Sequence, residues 1–209
     1  ARTGEQKYLD LARKFDHKAI LDPLRRGEDK LAGHHANTQI PKLIGLARLY
    51  ELEGKEEDRK TAETFWERVV RHHSYTLGGN SDHEYFGQPD KLNDRLSTNT
   101  AECCNSYNMV KLSNHLFSWK PTVERAEFVE RVLWNHLLAA IDPETGMNCY
   151  YMPLAPGTAR DHSNMDDSWW CCVGTGMENP ARYAESIYFR EGERTLYISQ
   201  FISSEVFLR

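Results

Sequence analysis

Apolar residues recur along most of the chain at the spacing of one helical face. Tyr8, Leu11, Ala12 and Phe15 fall at i, i+3, i+4 and i+7, which predicts an amphipathic helix with that stripe turned inward. A second helix has Pro41 one turn in, where a missing N–H costs nothing, then carries Leu43, Ile44, Leu46, Ala47 and Tyr50 and stops near Gly54. A third runs from Asp58 to His73 with Ala62, Phe65, Trp66, Val69 and Val70 inward; His72 and His73 then meet the negative end of its dipole. A fourth begins near Thr98 or Thr100 and holds Cys104, Tyr107, Val110, Lys111 and Phe117. Pro121 ends it and opens a fifth, Val123 to Ile141, closed by Asp142-Pro143. Gly176 to Tyr188 reads as a sixth. Only the tail, Thr195 to Leu208, alternates as strands do, with Leu196, Ile198 and Phe201 at half-buried positions.

The expected fold is therefore mainly α. Repeated helix–loop–helix units suggest an α/α toroid, with a plain helical bundle as the alternative. The polar residues gather in the loops. Gly78 to Gly87 cannot form a stable helix, Asn148 to Gly157 reads as extended, and Asp161 to Gly176 contains Trp169, Trp170 and a cysteine pair.

Composition narrows the function classes. Of 209 residues, 40% are hydrophobic and 27% charged, a globular balance. No apolar run approaches the roughly 18 residues of a membrane span. The net charge of −5 argues against a dominant nucleic-acid surface. The opening residues, ARTGEQKYLDLARKF, show no signal peptide. A cleaved signal leaves no trace, so the compartment stays open between cytoplasm and a periplasmic or secreted location.

Five cysteines are too few for a disulfide scaffold, and four of them form adjacent pairs, Cys103-Cys104 and Cys171-Cys172, with Cys149 alone. Neighbouring cysteines rarely bridge each other, because disulfide geometry is demanding. The pairs suggest a metal or thiolate site, two cross-bridges, or two buried pairs of small apolar side chains. Glu102 and Cys104 lie about 200° apart on a regular helix, poorly placed to share a metal. At a helix N-terminus or in a loop they converge, and the dipole there favours a thiolate. Glu102, Cys104, Cys171 and Cys172 together would make a four-donor site whose chemistry suits zinc best. The glycines of Val173-Gly174-Thr175-Gly176 suggest tight turns just before a helix. Glu84 sits among His83, Tyr85 and Phe86, where a carboxyl can act as a general acid or stand as a solvated loop residue. His34 and His35 stand at a helix entrance, as structural residues or as sugar-binding ones.

The stretches HHANTQIPK (34–42), GGNSDHEYFG (78–87), TAECCNSYNMVKLSNHLF (100–117), YYMPLAPG (150–157) and DSWWCCVGTGMENPARYAESIYF (167–189) resemble glycoside hydrolase families 127 and 146, which include β-L-arabinofuranosidases. The resemblance implies part of an (α/α)6 catalytic barrel over 1–190 and the beginning of a β-sandwich region over 191–209. It implies zinc held by Glu102, Cys104, Cys171 and Cys172. Cys171 would be the nucleophile and Glu84 the acid/base of a retaining hydrolase. His35 and Tyr150 would contact the sugar of an arabinose-containing glycan or glycoside, and Cys103 stays outside the site. Six or seven helices against the barrel's twelve imply a fragment, weak or inactive alone, whose uncovered faces favour a homo-oligomer. The alternative is a zinc-stabilised helical module that binds carbohydrate or protein without turnover. A dithiol redox protein fits less well, because redox pairs usually place two residues between the cysteines. Trp169 and Trp170 are candidates for an apolar wall of the sugar pocket or for core residues.

Overall fold

The computed structural model describes residues 3–207. Seven helices dominate it: α1 (Gln6–Arg13), α2 (Lys18–Arg25), α3 (Ala36–Glu53), α4 (Glu56–Arg68), α5 (Cys103–Trp119), α6 (Val123–Val132) and α7 (Cys171–Arg182). Two strands, β1 (Tyr188–Glu191) and β2 (Thr195–Ile198), pair antiparallel with Phe189 opposite Tyr197. No helix among the described residues is long and apolar enough to cross a membrane.

Helix α5 is the hub. It packs against α3, α4, α6 and α7, while α3 also lies along α4. Ile40, Leu43 and Ala47 of α3, Phe65 and Trp66 of α4, Met109, Leu112 and Leu116 of α5 and Phe128 and Val132 of α6 form the main core, all nearly sealed from water. Burying each large side chain stabilises the fold by about 1.5–3 kcal/mol. Trp66 is anchored as well as packed: its Nε1 donates to Ser113 Oγ at 2.8 Å, and its ring meets Phe128 edge-on at 5.7 Å. A smaller core of Tyr75, Ala101, Cys103, Cys104, Ala140, Cys149, Met152 and Cys172 lies beneath the loops.

The structure differs from the sequence expectations in particular places. Helix α2 was not anticipated, because it is only eight residues long and carries Pro23. Pro41 is the sixth residue of α3, past the free N–H groups of the first turn, so it removes the donor that the Asn37 carbonyl would otherwise receive. Helix α3 ends on Gly54 at φ 70°, as expected. Helices α4 and α6 each finish in a widened π turn, Val69–His73 and Leu133–Leu137. These turns bring histidines inward: His73 Nε2 meets Asp29 Oδ2 at 2.9 Å, and His136 is fully buried. His73 is therefore a packed structural residue, and the fifth helix stops short of Ile141. Helix α7 begins at Cys171, five residues before Gly176, and ends at Arg182, six before Tyr188. Gly174 and Gly176 lie within it, so they make no turn before it.

Two apolar stripes face the other way. Tyr8 and Leu11 of α1 and Phe15 just beyond it are exposed, and α1 buries no residue; Tyr8, Ala12 and Phe15 instead line an open groove of 590 Å³ against α3. In the strand pair, Phe189 and Tyr197 face Phe117, at ring distances of 4.6 and 6.2 Å. The alternation is present with its phase reversed: Leu196, Ile198 and Phe201 point to solvent. Leu208, the end of that expected tail, lies outside the described residues.

Candidate active site

Two helix N-termini supply the thiols. Glu102 is the N-cap of α5 with extended backbone, and Cys103 and Cys104 open the helix. Ala101, just before it, adopts φ 55°, a left-handed conformation unusual for a residue with a Cβ. Three backbone bonds hold it there: Ala101 N to Ser81 O at 3.0 Å, Met152 N to Ala101 O at 3.2 Å and Cys103 N to Tyr150 O at 3.0 Å. The break in helical geometry at the N-cap turns Glu102 toward Cys104, which a continuous helix would not do. Cys171 and Cys172 are the first two residues of α7. Asn148 Nδ2 donates to Cys172 O at 3.0 Å and to Cys149 O at 2.8 Å, tying that first turn to the 148–151 segment.

One donor atom from each of Glu102, Cys104, Cys171 and Cys172 lies within 4.8 Å of all the others. Cys104 Sγ is 3.2 Å from Cys172 Sγ, and Cys172 Sγ is 4.0 Å from Cys171 Sγ. Glu102 Oε1 is 3.7 Å from Cys171 Sγ and 4.0 Å from Cys172 Sγ. All five cysteines are free thiols, so cross-bridging does not explain the pairs. Cys171 is exposed, while Cys104, Cys172 and Glu102 are buried. Glu102 Oε2 is buried with no hydrogen-bond partner, an orphaned acceptor that a cation would satisfy.

The protein alone cannot charge all four groups. Burial, reinforced by the charge of Cys104, pushes Glu102 up to about 8, and the same pair of causes pushes Cys171 up to about 11. The hydrogen bond from Cys172 holds Cys104 down at about 6, and that bond with burial keeps Cys172 firmly protonated. Four anionic donors converging in a dry space repel one another unless a positive ion joins them. This donor set fits a divalent metal that accepts sulfur and oxygen together.

Glu84 approaches from the glycine-flanked loop, with φ 71° and neighbours Ser81 and His83 also at positive φ. Its carbonyl accepts from Ala36 N at 2.7 Å, which docks the loop on the start of α3. The Tyr150 hydroxyl donates a short hydrogen bond to Glu84 Oε1 and lies 3.7 Å from Cys171 Sγ. His35 Nε2 is 3.4 Å from Glu84 Oε2. His35, Glu84, Tyr150 and Cys171 thus form a continuous polar string beside the metal-type quartet, and Glu84 also lies close to Glu102. Burial and the bond to Glu84 drive the Tyr150 phenol far up, so it stays a donor.

Glu84, Glu102, Cys104, Cys171, Cys172, His35 and Tyr150 come together in this region. Trp170 meets Tyr150 edge-on at 5.9 Å, whereas Trp169 is 89% exposed and is not a core residue. Cys103 lies outside the quartet, buried with its Sγ 3.5 Å from His136 Nε2. Three contacts were not foreseen: Thr175 Oγ1 at 3.3 Å from Cys104 Sγ, Asn148 on Cys172, and Asn37 Nδ2 at 3.4 Å from Glu102 Oε1. Asn37 and Thr175 fall inside the stretches that carry the family resemblance, but their spacing alone names no partner.

A family profile described as the β-L-arabinofuranosidase GH127 catalytic domain matches residues 1–185. The chain belongs to that family. A curated relative, the non-reducing end β-L-arabinofuranosidase of Bifidobacterium longum subsp. longum, is 25% identical over 219 aligned residues, spanning 98% of this chain and 33% of its own length. The GH127 β-L-arabinofuranosidase Ara127N of Geobacillus stearothermophilus T6 superposes with a TM-score of 0.71 at 22% identity, over 86% of this chain and 30% of that one. A GH127 β-arabinofuranosidase structure superposes at 0.74 with 21% identity, over 96% of this chain and 33% of that one. This GH127 chain therefore spans about a third of the length of the relatives it matches.

Proposed function

We propose that this GH127 chain carries the catalytic centre of a retaining glycoside hydrolase acting on β-L-arabinofuranosides, within part of an (α/α)6 barrel that gives way to a β region near residue 190. The observation that carries the reading is the convergence of Glu102, Cys104, Cys171 and Cys172 beside an independent carboxyl, Glu84, linked to Cys171 through Tyr150. Membership of a β-L-arabinofuranosidase catalytic-domain family supports the sugar assignment.

Three thiols with one carboxylate suit zinc, and Glu102, Cys104, Cys171 and Cys172 would hold it. Bound zinc supplies the positive charge that keeps the thiols deprotonated near neutral pH. Cys171 is the residue placed to attack, because it is the exposed member of the quartet. Its sulfur bonds to the anomeric carbon as the glycosidic C–O bond breaks. Glu84 gives its proton to the departing oxygen, then takes one from the water that displaces sulfur and restores the thiolate. Tyr150 orients Glu84 against Cys171 through its hydroxyl, and His35 steadies the other carboxyl oxygen. The arrangement parallels the paired carboxylates of ordinary retaining glycosidases, with sulfur replacing the nucleophilic oxygen.

The test is incubation with an aryl β-L-arabinofuranoside, followed by mass spectrometry of the quenched protein. The reading expects a pentosyl adduct on the peptide bearing Cys171, absent from Cys171→Ala. Turnover by Cys171→Ala, or an adduct on another residue, contradicts it.

A further inference from the structure

We propose that Asn37, held by Asn108, is a positioning residue that presents Glu102 to the metal; this rests on the zinc-site reading above. Asn108 lies on α5, and its Nδ2 donates to Asn37 Oδ1 at 2.8 Å. Asn37 is the second residue of α3, and its Nδ2 donates in turn to Glu102 Oε1 at 3.4 Å. The relay leaves α5 at Asn108, crosses to α3 and returns to the N-cap of α5. It therefore closes on itself across two helices that already pack together.

The relay has a direction. An amide presents a donor at one end and an acceptor at the other. The N–H from Asn108 occupies the Asn37 oxygen, which leaves the Asn37 NH₂ facing the carboxylate. The reverse orientation of Asn37 would set its oxygen against Glu102 Oε1 and its NH₂ against the Asn108 NH₂. The Asn108–Asn37 bond thus commits Asn37 to donating toward Glu102.

Glu102 needs such a constraint. Among the described residues, Asn37 is the one nitrogen donor bonded to its carboxylate, while Oε2 has no partner. Oε1 is the oxygen turned toward Cys171 and Cys172. Without Asn37 the carboxylate is free to rotate about its last bond or swing away from the thiols. Partners of metal-binding carboxylates typically change metal affinity by about 10–100-fold when removed.

The experiment measures zinc affinity of the whole chain by competition with a chromophoric chelator, alongside thermal melting of the metal-free proteins. Asn37→Leu, similar in size but without a donor, should bind zinc about 10–100-fold more weakly. Asn108→Leu should weaken it in the same direction, and the double variant should be no weaker than Asn37→Leu. The decisive arm is a Glu102→Ala background, where three thiols remain and Asn37→Leu should have no further effect. Asn37→Leu within twofold of wild type, or an equal loss in the Glu102→Ala background, overturns the inference while leaving the zinc site standing. If Asn37→Leu melts as an unfolded chain, Asn108→Leu decides alone, since it does not touch the carboxylate; wild-type affinity there overturns the relay. A wild-type chain that takes up no zinc overturns the site reading and the inference with it.

Discussion

Cys171 is the thiol of the quartet that solvent reaches, yet desolvation of its sulfur and the charge of Cys104 hold its proton on. Of the four donors, Glu102, Cys171 and Cys172 are protonated at neutral pH in the metal-free protein, and Cys104 is the one held low. Zinc uptake must therefore release about three protons near pH 7. The sign follows directly: groups raised above neutrality oppose binding until their protons leave, so affinity should climb as pH rises from about 6 through the Glu102 value near 8 and on toward the Cys171 value near 11. Calorimetry in buffers of different ionisation enthalpy would count the protons, and a pH-independent affinity would refute the account. Glu84 belongs to a different step. Glu84→Gln should retain zinc but slow hydrolysis by about 10²–10⁴-fold on poor leaving groups, and far less on an activated aryl leaving group. Steady-state rates across a leaving-group series would show this as a steeper dependence on leaving-group acidity. Glu84, Glu102, Cys104, Cys171 and Cys172 were all legible in the sequence, because reactive residue types stood in glycine-marked or paired settings. Asn37 and Asn108 were not. Their roles depend on α3 and α5 lying side by side, which no local spacing encodes.

At the level of elements, the informative error is the start of α7. The glycines of Val173-Gly174-Thr175-Gly176 lower helix propensity and suggest turns, which predicts a helix starting only at Gly176. Packing overrides propensity here. A Cβ on Gly176 would fall 2.6 Å from Asn148 Cγ, so the glycine lets Asn148 reach the Cys172 carbonyl. Gly176→Ala should cost about 1–3 kcal/mol of stability by overpacking and weaken zinc binding through the displaced first turn of α7. Thermal melts of the metal-free protein and zinc titrations would check both; unchanged values would mean the contact yields without moving the cysteines. By contrast, Cys103→Ala should leave one zinc bound per chain, because Cys103 faces His136 instead of the quartet. The helices with strong 3.6-residue periodicity were read nearly in place. Short α2 and the π turns after α4 and α6 escaped, since none has a composition signal long enough to stand out.

Across the whole molecule, the site is assembled from segments far apart in sequence: the entry to α3, the 78–87 loop, the start of α5, the 148–151 strand-like stretch and the start of α7. The main core of α3 to α6 sets the spacing of these segments, and the smaller core carries the cysteines directly. Sequence periodicity revealed the helices but not which apolar stripes would be covered. Tyr8 and Leu11 on α1, Phe15 just after it, and Phe201 beyond the strand pair remain exposed. Such surfaces promote association, so sedimentation should show a concentration-dependent increase in mass, and a strictly monomeric chain at high concentration would contradict this.

The proposed chemistry requires that Glu102, Cys104, Cys171 and Cys172 share one metal ion. Zinc K-edge absorption spectroscopy on the zinc-loaded chain measures this directly. Three sulfur neighbours at about 2.3 Å and one oxygen at about 2.0–2.2 Å are expected. Loss of one sulfur in each of Cys104→Ala, Cys171→Ala and Cys172→Ala should follow, with the oxygen lost in Glu102→Ala. A shell dominated by imidazole nitrogen, or a sulfur count unchanged by these substitutions, would contradict it.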